Sequence, residues 1–261
     1  MTVLLGVIAV VIGISLGLLG AGGAIVAVPA FVYLGGVPPT LASGYALFVV
    51  TIATSLVSIG YIRRRQVNWR AVLAFGLTTL VSIAVIRRFV LPALPETLGY
   101  LGETAILRDT VLMLAFSMIL LAAGTGMLRL AHPPEGSDVA RMSRLSLLGL
   151  VIGVVSGFLG VGGGFLMTPA LVIWGRLDMR TSVGTSLVLM ALNSLVGVTA
   201  DLSGGIQYDW PLVITFTALT TIGIVVGFFL STRFHPQHLK RIFGWFIILI
   251  GVAVGIGEWW G

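Results

Sequence analysis

Apolar runs of about 20 residues or more alternate with short polar or basic stretches along this chain. In the first half they cover residues 3–34, 40–62, 70–90 and 108–130, and in the second half residues 146–174, 181–202, 210–232 and 239–260. A helix rises 1.5 Å per residue, so runs of this length can span the hydrocarbon of a bilayer. The pattern predicts an all-α integral membrane protein with about eight hydrophobic segments.

The composition agrees with a lipid environment. Hydrophobic residues make up 57% of the 261 residues and charged residues 9%, and the mean hydropathy is +1.11. No polar block is long enough to form a soluble core, so a single membrane domain over residues 1–261 is expected. The first run, from Val3, has no basic start or cleavage signal and is interpreted as part of this domain.

A glycine-rich phrase occurs twice. Gly17-Leu-Leu-Gly-Ala-Gly-Gly recurs 140 residues later as Gly157-Phe-Leu-Gly-Val-Gly-Gly, and each copy is followed by a proline, Pro29 or Pro169. Gln66-Val-Asn-Trp likewise recurs as Gln207-Tyr-Asp-Trp. The chain therefore divides into two repeats, residues 1–131 and 146–261, joined by a polar linker, residues 132–145.

The basic residues indicate how the repeats are oriented, because cytoplasmic ends of membrane spans carry an excess of Lys and Arg. If each glycine-broken stretch enters the membrane and returns, Arg87, Arg88 and Arg108 lie on one face. The opposite face then carries Arg63, Arg64, Arg65, Arg70, Arg129, Arg141, Arg144, Arg176, Arg180, Arg233, Lys240 and Arg241. If each broken stretch crosses, the bias disappears.

The charge count favours two inverted repeats, each a glycine-broken re-entrant helical hairpin plus three transmembrane helices. It also predicts a multi-pass protein of the cell inner (plasma) membrane with both termini extracytoplasmic. The other interpretation treats the glycine breaks as kinks in two long tilted helices. Arg clusters at the ends of membrane spans more often record orientation than nucleic-acid binding, so the net charge of +6 does not predict a nucleic-acid partner.

The glycine breaks are the first candidate substrate site. Non-helical backbone at membrane depth exposes N–H groups at the start of the next half-helix, and these attract an anion. The glycines concerned are Gly20, Gly22, Gly23, Gly160, Gly162, Gly163 and Gly164. Two such breaks, one per half, are expected to surround one central site.

Hydroxyl-bearing and small residues at the start of the next span form the second part of the candidate site, because hydroxyls donate to an oxyanion without a buried countercharge. They are Thr40, Ser43, Gly44, Ser182, Gly184, Thr185 and Ser186. Asn193, a carboxamide in the middle of a span, either orients the substrate or forms an interhelical hydrogen bond. The alternative for the small residues is helix packing, since pairs such as Gly13 with Gly17 and Gly223 with Gly227 have packing spacing.

No catalytic constellation, metal site or cofactor motif is evident, and the chain is interpreted as a non-enzyme. The doubled glycine phrase, Gln207-Tyr-Asp-Trp and Pro236-Gln-His-Leu together resemble the sulfite exporter TauE/SafE family of membrane permeases, over nearly the whole chain. The resemblance implies transport of small sulfur anions such as sulfite or organosulfonates.

The expected function is therefore secondary transport of a small anion across the lipid bilayer by alternating access of the inverted repeats. An anion channel and a non-transporting membrane scaffold are the alternatives. The sequence leaves open the exact substrate, the direction of transport, a coupling ion and a homodimer.

Overall fold

The computed structural model describes residues 2–19, 26–28, 30–90, 93, 95, 97–101, 104–129, 142–159, 164–203, 207–231, 233 and 235–260. This part of the chain contains nine long or medium α-helices: α1 Thr2–Leu19, α2 Pro39–Arg63, α3 Trp69–Val85, α4 Arg108–Arg129, α5 Met142–Leu159, α6 Gly164–Ile173, α7 Met179–Ser203, α8 Trp210–Ser231 and α9 Pro236–Trp260. Two π-helical turns, Ala30–Leu34 and Ile86–Val90, precede α2 and extend α3. The predicted helical class is confirmed.

Three of the described helices are long and apolar enough to cross a membrane, Leu41–Arg63, Met179–Ser203 and Trp210–Ser231. Shorter apolar helices cover Gly6–Leu18, Trp69–Val85, Ser117–Arg129, Met142–Phe158 and Arg241–Gly257. A small antiparallel hairpin of β1 Thr97–Leu101 and β2 Thr104–Leu107 adds to the helices. It lies in a segment that the first half of the chain has and the second half lacks.

Helix α1 packs along α8 through glycines. A Cβ atom added at Gly13 would lie 2.9 Å from the Cα of Gly223, and one at Gly17 would lie 2.6 Å from the backbone nitrogen of Phe228. Residue numbers rise together along both helices, so α1 and α8 run in the same direction. The small residues thus allow the two backbones to touch, as small-xxx-small spacing predicts.

Helices α5 and α3 repeat this arrangement. A Cβ at Gly153 would lie 2.8 Å from the Cα of Thr79, and one at Gly157 would lie 2.8 Å from the Cβ of Ile86. These helices also run parallel to each other. The first helix of each half is therefore packed on a helix of the other half.

Helices α2 and α7 cross the middle of the bundle side by side. Gly197 of α7 faces Leu47 of α2, whereas Gly184 faces Tyr61, so the two helices are antiparallel. Helix α8 runs parallel to α2, because its ends meet α2 through Asp209 with Tyr45 and through Ser231 with Tyr61. Thus α1, α2 and α8 share one direction.

Helices α3, α5 and α7 share the opposite direction. Helix α3 follows α7 because Asn68, just before α3, meets Thr185, and Gly76 further along faces Leu189. Helices α4 and α9 form an antiparallel pair, in which the Ser117 hydroxyl donates to the carbonyl of Gly251 at 2.8 Å. Consecutive helices α2 and α3 are therefore antiparallel, as are α7 and α8.

The turn that leads into α2 recurs before α7. In the first, the Gly35 N–H donates to the carbonyl of Ala30, and Gly36 has a φ of +64°. In the second, the Gly175 N–H donates to the carbonyl of Ala170, and Arg176 has a φ of +56°. The same hydrogen bonds and the same left-handed residue thus occur at equivalent positions of the two halves.

Candidate functional site

Helix α6 is a ten-residue helix that packs against the first part of α7 and runs antiparallel to it. The turn after α6 leads straight into α7, and the hydroxyls of Thr168 and Ser186 lie 2.7 Å apart, both fully buried. Gly164, the first residue of α6, comes four residues before Thr168, and Met190 comes four residues after Ser186. In an antiparallel pair these two residues lie at the same height along the helix axes. Helix α6 therefore begins near the middle of α7, which spans Met179–Ser203.

Asn193 lies just beyond that helix start. It follows Ser186 by seven residues, or two helical turns, and so lies on the face of α7 that packs on α6. It is three residues beyond Met190, which is roughly 4–5 Å further along the helix axis. The N–H groups in the first turn of α6, which have no partner within the helix itself, point in the same direction.

The carboxamide of Asn193 is buried and has no partner. The residue is 2% exposed, and neither its Nδ2 nor its Oδ1 atom makes a hydrogen bond within the described part of the chain. The hydroxyl of the neighbouring Ser194 is likewise buried and unpartnered there. Buried polar groups without partners cost free energy and are uncommon in native structures, so they mark a place where a ligand or water can bind.

Helix α2 supplies the opposite side of this region. Leu47 of α2 faces Gly197 of α7. Because the two helices are antiparallel, Thr51, four residues after Leu47, lies at the same height as Asn193, four residues before Gly197. The hydroxyls of Thr51 and Thr54 donate to the carbonyls of Leu47 and Val50, at 2.8 and 2.6 Å. Both hydroxyls keep lone pairs that can accept a hydrogen bond.

No charged side chain enters this region from α2, α6 or α7. Helix α7 has none between Arg180 and Asp201, α2 has none before Arg63, and α6 has none at all. The donors that remain are backbone N–H groups, hydroxyls and one carboxamide. Such a set can hold a small anion through hydrogen bonds and the helix dipole, without a buried countercharge.

Of the site residues predicted from the sequence, Gly164, Ser186 and Asn193 belong to this region. Ser182, Gly184 and Thr185 lie nearer the start of α7, and Gly184 and Thr185 hold the loop before α3. The Thr185 hydroxyl accepts the backbone N–H of Asn68 at 3.0 Å, and Gly184 leaves room for the Gln66 carbonyl. The structure gives these two residues a docking role, and their contact with substrate stays a prediction.

Ser43 and Gly44 lie at the opposite end of the bundle, near the start of α2. A Cβ at Gly44 would lie 2.8 Å from the Tyr208 hydroxyl and 3.0 Å from an Asp201 carboxylate oxygen. Close by, the Tyr45 hydroxyl accepts the backbone N–H of Asp209 at 2.8 Å. Two groups of predicted residues therefore lie at two ends of the bundle and do not meet.

The glycines of the two breaks, Gly20, Gly22, Gly23, Gly160, Gly162 and Gly163, lie outside the described residues. Gly164 begins α6, and Thr40 lies in α2, but its side chain is also outside the described part. The flanking helix ends are described. Gly17 lies against the last part of α8 and Gly157 against the end of α3, so α1 and α5 end at opposite ends of the bundle.

Thr168, Thr51 and Ser194 were not predicted as site residues. Thr168 stands in a continuous apolar run next to Pro169, where a threonine is indistinguishable from core. Ser194 could have been found from its place beside Asn193 in the middle of a span. Thr51 could not, because nothing in one sequence shows that α2 and α7 are neighbours in this register.

Apolar helices packed through small residues, with a buried, uncharged polar region at their centre, define a polytopic helical membrane protein. The family model described as sulfite exporter TauE/SafE matches residues 5–254, and the chain belongs to this family. The resemblance predicted from the glycine phrases is thereby confirmed.

Relatives of this chain carry a transporter name in distant organisms. This chain is 30% identical to the "Probable membrane transporter protein" of Xylella fastidiosa (strain 9a5c), over 95% of this chain and 92% of that protein. It is 25% identical to the "Probable membrane transporter protein YunE" of Bacillus subtilis (strain 168), over 95% and 94% of the two chains. The chain is thus a member of a family of membrane transporters rather than of a family of enzymes.

Proposed function

We propose that this protein is a secondary transporter of small sulfur-containing anions, such as sulfite or organosulfonates. The anion binds between the start of α6 and Asn193, and the two repeats, residues 1–131 and 146–261, expose it alternately to the two faces of the membrane. The family to which the chain belongs supports the substrate class. The donors of the site, and the lack of charged side chains in α2, α6 and α7 between their ends, support an anionic substrate.

The observation that carries the proposal is the half-length helix α6. Its N-terminus lies near the middle of α7 and faces a buried carboxamide that has no hydrogen-bond partner among the described residues. Discontinuous helices whose N-termini point at an anionic group near the bilayer midplane are a recurrent design of transporters. Their N–H groups and dipole favour negative charge.

Helix directions support inverted repeats. Helix α1 runs parallel to α2, so the broken stretch between them returns the chain to the end at which α1 began. Helix α5 likewise runs parallel to α7. The two halves start at opposite ends of the bundle, and equivalent helices pack reciprocally, α1 on α8 and α5 on α3.

The central pair supports the same symmetry. Ala53 and Asn193 are equivalent in the repeat, and they lie about two residues, or roughly 3 Å, apart along the α2 and α7 axes. Two equivalent residues lie at nearly the same height only near the pseudo-two-fold axis that relates the two halves. Asn193 thus lies at the centre of the proposed transporter.

The ends of the helices support the orientation. Arg63 ends α2, Arg129 ends α4, Arg144 and Arg180 lie in the first turns of α5 and α7, and Arg241 lies in the first turn and a half of α9. All five lie at one end of the bundle, given the helix directions and because Gly126 of α4 faces Ile173 at the end of α6, which orients α4 and its antiparallel partner α9. The positive-inside rule makes this end cytoplasmic, so both termini are extracytoplasmic and the protein belongs in the plasma (inner) membrane.

Flux in liposomes tests the proposal. Purified protein should accelerate the movement of sulfite or ethanesulfonate into vesicles, and the initial rate should saturate as the anion concentration rises. Protein-free vesicles and vesicles with heat-inactivated protein are the controls. A rate that rises linearly without saturation would indicate a channel, and a folded protein without any flux would exclude transport of these anions.

A further inference from the structure

The hydrogen-bonding capacity of Asn193 restricts what the site can bind. A carboxamide has two N–H donors on Nδ2 and an acceptor oxygen, Oδ1. A sulfonate oxygen can accept from Nδ2, and the N–H groups at the start of α6 can serve the remaining sulfonate oxygens. Oδ1 gains nothing from a sulfonate, because both are acceptors.

The hydroxyls of Thr51, Thr54 and Ser186 do not supply a donor for Oδ1, and the unpartnered hydroxyl of Ser194 leaves α7 about 100° around the helix axis from Asn193. Thr51 and Thr54 donate their protons to backbone carbonyls of their own helix. The Ser186 hydroxyl is occupied by Thr168 and by the carbonyl of Val183, at 2.7 and 3.0 Å. These hydroxyls offer lone pairs to the Asn193 amide nitrogen but no free proton to its oxygen.

The absence of charge in α2, α6 and α7 between their ends adds a second restriction. The cost of moving an ion out of water rises with the square of its charge in the Born description. Without a cationic side chain in these helices, a dianion would receive no compensating pairing from them. The site is therefore suited to a single negative charge.

We infer that Asn193 makes this site selective for monoanionic sulfonates that carry a hydrogen-bond donor of their own, namely hydroxyalkanesulfonates. The sulfonate accepts from the start of α6 and from Nδ2, and the substrate hydroxyl donates to Oδ1. This inference rests on the proposed function and assigns the substrate class within it. It also explains why one half has an asparagine where the other has Ala53.

Three matched anions test the inference. Ethanesulfonate is a monoanion without a donor, isethionate is its hydroxylated counterpart, and ethanedisulfonate is a dianion. In liposomes, half-saturation should require about tenfold less isethionate than ethanesulfonate, the value expected for one hydrogen bond to a group that is otherwise buried and unpaired. Ethanedisulfonate should be the poorest of the three.

The variant Asn193→Ala removes the Nδ2 donor from both monoanions and the Oδ1 acceptor from isethionate alone, so half-saturation should require more of both anions and the preference for isethionate should fall to about one. Thr220→Val is the matched control. Thr220 is also fully buried, with no hydrogen-bond partner for its hydroxyl in the described chain, but it lies in α8 against α1. The control should keep the native preference.

An isethionate preference that persists in Asn193→Ala would overturn the inference, as would a native protein that does not distinguish the two monoanions. A merely structural asparagine would change thermal stability in Asn193→Ala without changing the ratio of half-saturation concentrations. If the native protein transports ethanesulfonate but shows no preference, the inference fails and the proposed function stands. If it moves none of the three anions and not sulfite either, the proposed function fails as well.

Discussion

The glycine contact between α1 and α8 predicts a specific sensitivity to a single added methyl group. In Gly13→Ala the new Cβ would lie 2.8 Å from the Ile224 nitrogen and 2.9 Å from the Gly223 Cα, and would overlap the Thr220 carbonyl oxygen. Ordinary carbon contacts are about 3.5–4.0 Å. The two helices must therefore separate by roughly 1 Å, since backbone atoms cannot rotate away.

A gap of this size is costly along the whole contact. Separation by 0.5–1 Å forfeits about a quarter to a half of the dispersion energy of each atom pair. In a membrane no hydrophobic driving force between helices compensates this loss, because lipid tails are as apolar as the side chains. We expect Gly13→Ala to destabilise the protein by about 1–3 kcal/mol, the usual range for overpacking.

Gly6→Ala in the same helix is the matched control. Its Cβ would meet only the Cδ1 atom of Leu219, at 3.3 Å, and a flexible side-chain end can move by the few tenths of an ångström required. Alanine also favours a helix over glycine by about 1 kcal/mol. Gly6→Ala should thus be neutral or slightly stabilising.

Thermal unfolding in detergent compares the melting temperatures of these variants. Reversible unfolding in bicelles gives the difference in their free energies of unfolding. Gly153→Ala extends the test to the other half, because its Cβ would lie 2.7 Å from the Ser82 Cβ and 2.8 Å from the Thr79 Cα. It should be destabilised by a similar amount. If Gly13→Ala is no less stable than Gly6→Ala, the close backbone packing of α1 on α8 is wrong.

Two further predictions concern topology and backbone strain. The chain has no cysteine, so single cysteines can be introduced at exposed positions and labelled with a membrane-impermeant reagent. Cysteines at Pro38 and Gln207 should react from the side of the termini, and cysteines at Ser143 and Trp174 from the other side. Labelling of Pro38 and Ser143 from the same side would contradict the inverted repeat. Arg176 has a left-handed backbone, which costs a non-glycine residue about 1–2 kcal/mol. Arg176→Gly should therefore stabilise the protein by about 0.5–1 kcal/mol after the entropy of glycine is subtracted. Gly36→Ala, at the equivalent turn with open space around it, should destabilise the protein. Equal melting temperatures for both variants would refute the claim that the backbone is strained at these positions.

Hydropathy alone located most of the helices closely. The predicted runs 40–62, 181–202 and 210–232 correspond to Pro39–Arg63, Met179–Ser203 and Trp210–Ser231. Lipid demands long apolar helices, so the signal is strong and local. The run 146–174 instead divides into α5 and α6, which hydropathy cannot separate, and only the glycine cluster indicated the break.

The candidate site contains only some of the residues that the sequence predicted, and its role in binding stays a prediction. The sequence drew attention to Ser186 and Asn193, whose spacing of seven residues places them on one face of a helix. It could not show that Thr185 and Gly184 hold a loop of the other half, because that contact joins residues more than 100 apart in the chain. Which helices are neighbours is decided by packing of small residues across the bundle, and one sequence contains no record of those pairs.

The polar groups of the site are distributed unequally between two halves that share a backbone plan. Thr168, Ser186 and Asn193 have Val28, Ala46 and Ala53 as their equivalents, and all three equivalents are buried and apolar. In the proposed transporter, similar backbones in the two halves would permit two conformations of similar energy, as alternating access requires, while the hydrogen bonds to the anion would come mainly from the second half. In the proposed mechanism the second half therefore holds the substrate, and the first half moves past it.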